Sequence, residues 1–171
     1  MVFGGTGVVL AGLLALALWA PWGTAPAAAR LPQVSLARLG GGPDIQLPLS
    51  DGGAGHPLVL VWFASWCAPC QAELPQVARV AAAAEASGTP VRFVGIDGND
   101  APSAGVAFVR ASGVTFPVAS DPDQRLANLL GLAWMPMTVF VDRHDAIVQV
   151  VRGPITPRAL EAAVHRLANR P

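Results

Sequence analysis

The stretch Ala64-Ser65-Trp66-Cys67-Ala68-Pro69-Cys70-Gln71-Ala72-Glu73-Leu74-Pro75, read ASWCAPCQAELP, carries the only two cysteines of a 171-residue chain and sets them three positions apart. Just before it, Leu58-Val59-Leu60-Val61-Trp62-Phe63-Ala64 is a continuous apolar run. A continuous run, as opposed to an alternating one, is what a central strand covered on both faces requires. Just after it, the pattern predicts a helix from about Ala68-Pro69, with proline in its tolerated first turn, through the alanines at 81–84 to a stop at Ser87-Gly88. A strand therefore runs straight into a Cys-x-x-Cys at a helix start.

That placement has chemical consequences. A helix N-terminus concentrates unpaired backbone N–H groups and the positive end of the helix dipole, so a thiol placed there loses its proton more readily. Cys67 is the candidate nucleophile. Cys70 lies one helical turn further in, on the same face, where it can close a small disulfide ring with Cys67 or resolve a mixed disulfide formed there. Two other uses of the pair fit less well. A structural zinc site wants four ligands, and beyond the two cysteines the chain offers only His56, His144 and His165, none in paired ligand spacing. A purely structural staple across so few residues would add little, because the stabilisation grows with the length of the loop closed. A working redox couple, needing no metal and no cofactor, is the best reading of the residues alone.

Outward from this stretch, strand and helix patterns alternate. Residues 40–57 are rich in Gly, Pro and Asp and read as turns around short strands, one near Asp44 to Leu49. Val91 to Asp97 reads as a second buried strand, followed by a helix over about Ala104 to Ser112, a short strand Phe116 to Ala119, and a short helix Asp121 to Leu130 closed by Gly131. Thr138 to Asp142 and Ile147 to Arg152 read as a hairpin, and Thr156 as the N-cap of a last helix ending near Asn169. Trp62, Phe63, Phe93 and Phe140 fall at core positions. Alternation of this kind predicts an α/β fold, a mixed sheet layered between helices.

Apolar residues make up 53% of the chain and charged residues 13%, enough to bury a sizeable core and too apolar for disorder. All eleven basic residues are Arg, and they balance eleven acidic ones. A net charge of zero without basic runs argues against a nucleic-acid surface. The first 29 residues hold no charged side chain, and Val8 to Trp22 is almost wholly apolar. Small residues at Ala25-Pro26-Ala27-Ala28-Ala29 follow, of the kind a signal peptidase cuts. Uncut, the apolar stretch approaches the ~20 residues needed to span a bilayer. No Lys or Arg precedes it while Arg30 and Arg38 follow, and by the positive-inside rule alone that would turn the domain inward. The expectation is nevertheless export: residues 1–29 as a signal peptide or membrane anchor, and residues 30–171 as the globular domain.

Trp66-Cys67-Ala68-Pro69-Cys70 resembles the W-C-x-P-C active site of the thioredoxin fold. The longer pattern from Trp66 to Pro75, W-C-x-P-C-x-x-E-x-P, resembles the TlpA/ResA/DsbE-like branch of that superfamily, exported and often membrane-anchored thiol-disulfide oxidoreductases. The resemblance runs from about residue 43 to 168. It takes in a strand-helix insertion around Val91 to Ala119 and Trp134-Met135-Pro136-Met137-Thr138 at the place of the cis-proline loop. It implies a thioredoxin-like fold with that insertion and a cis Pro136. It also implies that Met135 and Pro136 pack across from Cys67, with the preceding backbone binding an extended substrate segment. Glu73 matches the family's active-site glutamate, expected to be buried and to move protons to or from Cys70; a solvated helix charge is its simpler alternative. Trp66 is expected to cover the disulfide and to offer partners an apolar contact. Thioredoxin itself has a buried Asp six residues before the first cysteine, and Val61 stands there in this chain.

The function implied is thiol-disulfide exchange outside the cytoplasm, most simply as a reductase supporting cytochrome c or metallocentre assembly. The implied partners are cysteine-containing exported proteins such as apocytochrome c or copper-site proteins. A membrane thiol transporter of the CcdA/DsbD type would donate electrons, and the N-terminal segment would meet the membrane. The same residues would serve an oxidant of exported proteins. A peroxiredoxin, which wants a Thr or Ser ahead of its peroxidatic cysteine and an assisting Arg, and a non-catalytic metal or haem chaperone are the competing classes.

Overall fold

In the computed structural model, which describes residues 29–51, 54–132 and 134–171, the apolar run ahead of the cysteines is the middle strand of the central sheet. The chain builds β1 (Val34–Leu36), β2 (Ile45–Leu47), the two-residue β3 (Ser50–Asp51) and β4 (Ala54–Gly55), then β5 (Leu58–Phe63), α1 (Ala68–Ala86) and β6 (Arg92–Gly98). There follow α2 (Pro102–Ala111), β7 (Val118–Asp121), α3 (Arg125–Leu129), β8 (Met137–Val141), β9 (Ile147–Arg152) and α4 (Pro157–Ala168). The sheet order is β7-β6-β5-β8-β9. The β5/β6 and β6/β7 pairs are parallel, and β5/β8 and β8/β9 are antiparallel. This is the thioredoxin-like mixed sheet, in which β6, at the start of the Val91 to Ala119 stretch read as an insertion, is a central strand paired with β5.

Every residue of β5 is buried, because alternate side chains serve two separate cores. Val59, Val61 and Phe63 join α1 and α4 on one face; Leu58, Leu60 and Trp62 join β1, β2 and α3 on the other. Helix α2 lies over the first face, with Phe108 set edge-on against Phe63 at 5.8 Å between ring centroids. Trp62, Phe63, Phe93 and Phe140 are all core residues. Helix α4 begins as expected, with the Thr156 Oγ1 accepting from the Ala159 N–H at 3.3 Å.

Three boundaries differ from the sequence reading. Helix α2 starts at Pro102, not Ala104, since proline fits a first helical turn. β7 is displaced to Val118–Asp121, where it pairs with Gly95 to Gly98 of β6. Asp121 accordingly ends a strand and does not begin the helix: its carboxylate reaches forward to accept the Leu126 and Ala127 N–H groups, and α3 is reduced to five residues. The β1/β2 hairpin is an addition, since the sequence reading had only the second of its strands. The apolar leader expected over residues 1–29 lies, up to residue 28, outside the described residues. Among those described, no helix is long and apolar enough to cross a membrane.

Candidate active site

Strand β5 delivers the chain to the site, and a tight turn at Ala64–Cys67, closed by the Cys67 N–H on the Ala64 carbonyl at 3.2 Å, starts α1. Cys67 is itself the N-cap: its backbone is extended, and its Sγ accepts the Cys70 N–H at 3.3 Å. The capping position is normally an oxygen's; here sulfur takes it, so one of the helix's unpaired donors points at Cys67. An N–H aimed at sulfur, together with the helix dipole, favours a thiolate over a thiol when the bond to Cys70 is open. Cys67 and Cys70 are joined in a disulfide, with Cα atoms 5.2 Å apart and an S–S distance of 1.96 Å. Both sulfurs are recessed: Cys67 is 5% and Cys70 1% exposed.

Glu73 lies one turn beyond Cys70 on the inner face of α1, in the row Cys70, Glu73, Leu74 and Val77. It is buried, as expected of a group near the thiols and not of a solvated helix charge. Its Oε1 accepts the Ile155 N–H at 2.9 Å from the loop between β9 and α4. Burial pushes the carboxyl upward from its ordinary range, and the Ile155 bond offsets part of that rise. The helix continues unbroken through Pro75, whose missing N–H costs it one internal bond.

The Met135–Pro136 peptide is cis, as the resemblance implied. Pro136 is buried and Met135 half-buried, the latter packed against the cluster that contains Cys67 and Cys70. The Pro136 carbonyl accepts the Gly153 N–H at 2.9 Å, so the loop that reaches Glu73 through Ile155 also reaches the proline. Gly98 lies opposite, where a Cβ would meet the end of the Met135 side chain. Trp66 is 58% and Trp134 67% exposed, among the few large apolar side chains left on the surface. Between them a shallow cavity of about 260 Å³ is floored by Trp62, Leu132 and Met137. Of the six residues singled out from the sequence, Cys67, Cys70 and Met135 share one cluster, Glu73 lies one turn beyond Cys70, Trp66 lines the cavity beside Met135, and Pro136 bonds the loop that reaches Glu73.

Sequence reasoning missed the hydrogen bonds that tie the cysteine turn to the end of β6. Asp100 accepts the Ser65 N–H on one carboxylate oxygen and the Ser65 hydroxyl, at 2.9 Å, on the other, and the latter oxygen also takes the Ala101 N–H at 2.8 Å. Trp66 donates its ring N–H to the Asn99 carbonyl at 2.9 Å, and Gln71 donates to the Ser65 carbonyl at 2.8 Å. Behind Asp100, Asp97 is 1% exposed at the end of β6, and burial first, then the charge and hydrogen bond of Asp100, push its carboxyl up to about 7. The only sequence signal was an acidic residue within the apolar run Val91 to Asp97.

A family model described as Redoxin matches residues 26–166. The chain belongs to the redoxin family. Among curated relatives, this redoxin is 29% identical over 114 residues to the thiol-disulfide oxidoreductase ResA of Oceanobacillus iheyensis, covering 67% of this chain and 58% of that one. The ResA of Bacillus subtilis is 27% identical over 115 residues, covering 67% of this chain and 61% of that one. The match thus spans under two thirds of each of these relatives. Among solved structures, the DsbF of Mycobacterium tuberculosis, seen in mixed oxidised and reduced forms, superposes with a TM-score of 0.69 at 34% identity over 79% of this chain and 95% of that one. A secreted disulfide oxidoreductase of the same organism, described as homologous to DsbE of Escherichia coli, gives 0.66 at 29% identity, over 79% of this chain and 96% of that one.

Proposed function

We propose that this redoxin is an extracytoplasmic thiol-disulfide oxidoreductase that exchanges disulfides with cysteine-containing exported proteins. The observation that carries the reading is the Cys67–Cys70 disulfide at the first turn of α1, with Met135 of the cis Met135–Pro136 peptide packed on its cluster. In the reducing direction the Cys67 thiolate attacks one sulfur of a partner disulfide, forming a Cys67–partner bond and releasing the other sulfur as a thiolate. Cys70, deprotonated, then attacks Cys67, the partner leaves with both its sulfurs reduced, and the Cys67–Cys70 bond re-forms. Glu73 takes the Cys70 proton during resolution: it is buried, its carboxyl is shifted upward, and it sits on the same helix face. The backbone before Pro136 holds the partner's extended segment, and Trp66 and Met135 contact its apolar side chains.

The names of the relatives support the class of reaction, and the secreted homologue supports a place outside the cytoplasm. Within that class we assign reduction, serving the cysteines of apocytochrome c or of copper-site proteins. Electrons come from a membrane thiol transporter of the CcdA/DsbD type, and residues 1–29 hold the domain to the membrane or direct its export. Equilibrating the protein against glutathione or dithiothreitol buffers tests the direction. A potential near about −270 mV supports the reductase, and one near about −120 mV marks an oxidant of exported proteins instead. A pair that does not cycle at all sinks both.

A further inference from the structure

Two carboxyl groups outside the reaction scheme stand directly behind the turn that presents Cys67. Asp100 takes three donors, two of them from Ser65, two residues ahead of the nucleophile. Asp97 lies in register with Phe63 of β5, on the face that α1 and α2 cover. Helix α2 is pressed onto it so closely that a Cβ at Gly105 would collide with the Asp97 Oδ2, and only glycine admits the approach. The Asp97 Oδ1 is buried with no hydrogen-bond partner. An orphan buried oxygen of this kind is costly when it carries charge, and two carboxyls in contact relieve the cost by sharing one proton.

We propose that Asp97 and Asp100 form a positioning pair for disulfide exchange, in which Asp100 fixes the turn leading into Cys67 and a proton held between the two carboxyls keeps Asp100 in place. The proposal rests on exchange at Cys67–Cys70 and is indifferent to its direction. While Asp97 keeps its proton, its O–H donates to Asp100 and the Ser65 bonds stand. Once it ionises, two negative groups face each other without a donor between them, Asp100 is pushed off Ser65, and Cys67 is presented less accurately. With the Asp97 carboxyl at about 7, this change falls near neutrality.

The other ionisable groups around Asp97 are committed elsewhere. Strand β5 has none, and Asp121 of β7 is turned to α3, where it accepts the Leu126 and Ala127 N–H groups. Arg110 of α2 is exposed, and Arg92 stands at the far end of β6. On α1, Cys67 and Cys70 are tied in their disulfide and Glu73 holds Ile155. The Coulombic push on Asp97 comes from Asp100.

The test uses the full oxidised chain, in which the cysteines do not titrate. Amide signals of Ser65 and Ala101 are followed by NMR from about pH 5 to about pH 9, and are expected to move together with a midpoint near neutrality in the wild type but not in Asp97→Asn. The rate of disulfide reduction by dithiothreitol is then compared between the two proteins. The variant-to-wild-type ratio is expected to be about one in acid and to rise to about fivefold in mild alkali, the worth of one hydrogen bond. A structural role alone would leave that ratio constant across pH. Amides that do not titrate in the wild type, a titration that persists in Asp97→Asn, or a constant ratio each overturn the proposal. The wild-type titration needs neither a stable variant nor turnover, so it is decided separately from the exchange reaction.

Discussion

Two acidic braces flank the redox pair, and they hold it in different ways. On one side Glu73, inside α1 beneath Cys70, has a single backbone donor, the N–H of Ile155, 82 residues away in sequence. On the other, Asp100 has three donors and reaches only 35 residues back, to the turn ahead of Cys67. Three donors on a half-buried carboxylate make an anchor for the turn ahead of Cys67. One donor on a buried carboxyl leaves charge poorly compensated, which suits a group that gains and loses a proton. Cys67 thus sits on the turn that Asp100 holds, and Cys70 beside a buried carboxyl pushed above its ordinary range. The Glu73 brace also ties the site together, since Gly153-Pro154-Ile155 spans from the Pro136 carbonyl to the Glu73 carboxylate.

The sharpest way to break this asymmetry is to remove each sulfur in turn. Cys67→Ser is expected to lower exchange by about a thousandfold or more, because the attacking group is gone. Cys70→Ser is expected to keep the first attack and to accumulate a mixed disulfide with the partner, visible by mass spectrometry under non-reducing conditions. Trapping on Cys70 in the Cys67→Ser protein at a comparable rate would show that the two positions are equivalent, and the division into nucleophile and resolver would fall.

Next in size is the anchor itself. Asp100→Ala strips acceptors from the Ser65 N–H and hydroxyl and from the Ala101 N–H, and is expected to destabilise the fold by about 1–3 kcal/mol in denaturant unfolding. Ser65→Ala, which keeps the backbone bond, should cost less. An Asp100→Ala protein as stable as the wild type would mean that solvent replaces these bonds freely.

The titrating groups on both sides are probed by pH. Glu73 has a folded-state value above its ordinary 4.5, so the native state binds more protons than the unfolded chain over that interval. Its contribution is fully present below the unfolded value and is lost as pH rises through the folded one. Asp97 acts in the same sense between 3.8 and about 7. The melting temperature should therefore fall from acid toward neutrality. Glu73→Gln and Asp97→Asn should each flatten the fall, with a gain of roughly 5 °C in mild alkali and little change in acid. A melting temperature that climbs across this range in the wild type would contradict both assignments.

These differences in reach also explain what could be read from the sequence. β5 and α1 were legible because their signals are local: an unbroken apolar run, a Cys-x-x-Cys, and a proline at a helix start. Glu73 was legible because it lies one turn from Cys70 on the same helix. Asp100 was not, since nothing in the spacing of Ser65 and Asp100 marks a contact that only the β5/β6 pairing creates. Asp121 was misplaced for a related reason. An acidic residue ahead of a helix reads as its cap, but here it caps from the end of a strand, reaching five and six residues forward, beyond the ordinary N-cap spacing. The β1 strand, three residues long, is too short to show a period of its own.

The smallest expected effect on stability separates the held turn from the rim. Trp66 and Trp134 are more than half exposed, and the ring N–H of Trp66 donates to the Asn99 carbonyl. Replacing either by alanine should change unfolding free energy by no more than about 0.5 kcal/mol, as for other surface positions. If their apolar faces bind partner polypeptide, the same substitutions should slow exchange with a protein disulfide while leaving reduction by dithiothreitol unchanged, because a small dithiol has no side chains to place in the cavity above Trp62 and Met137. Equal slowing with both substrates would instead assign Trp66 to the held turn, where its bond to Asn99 continues the line of contacts from Asp100 to Cys67.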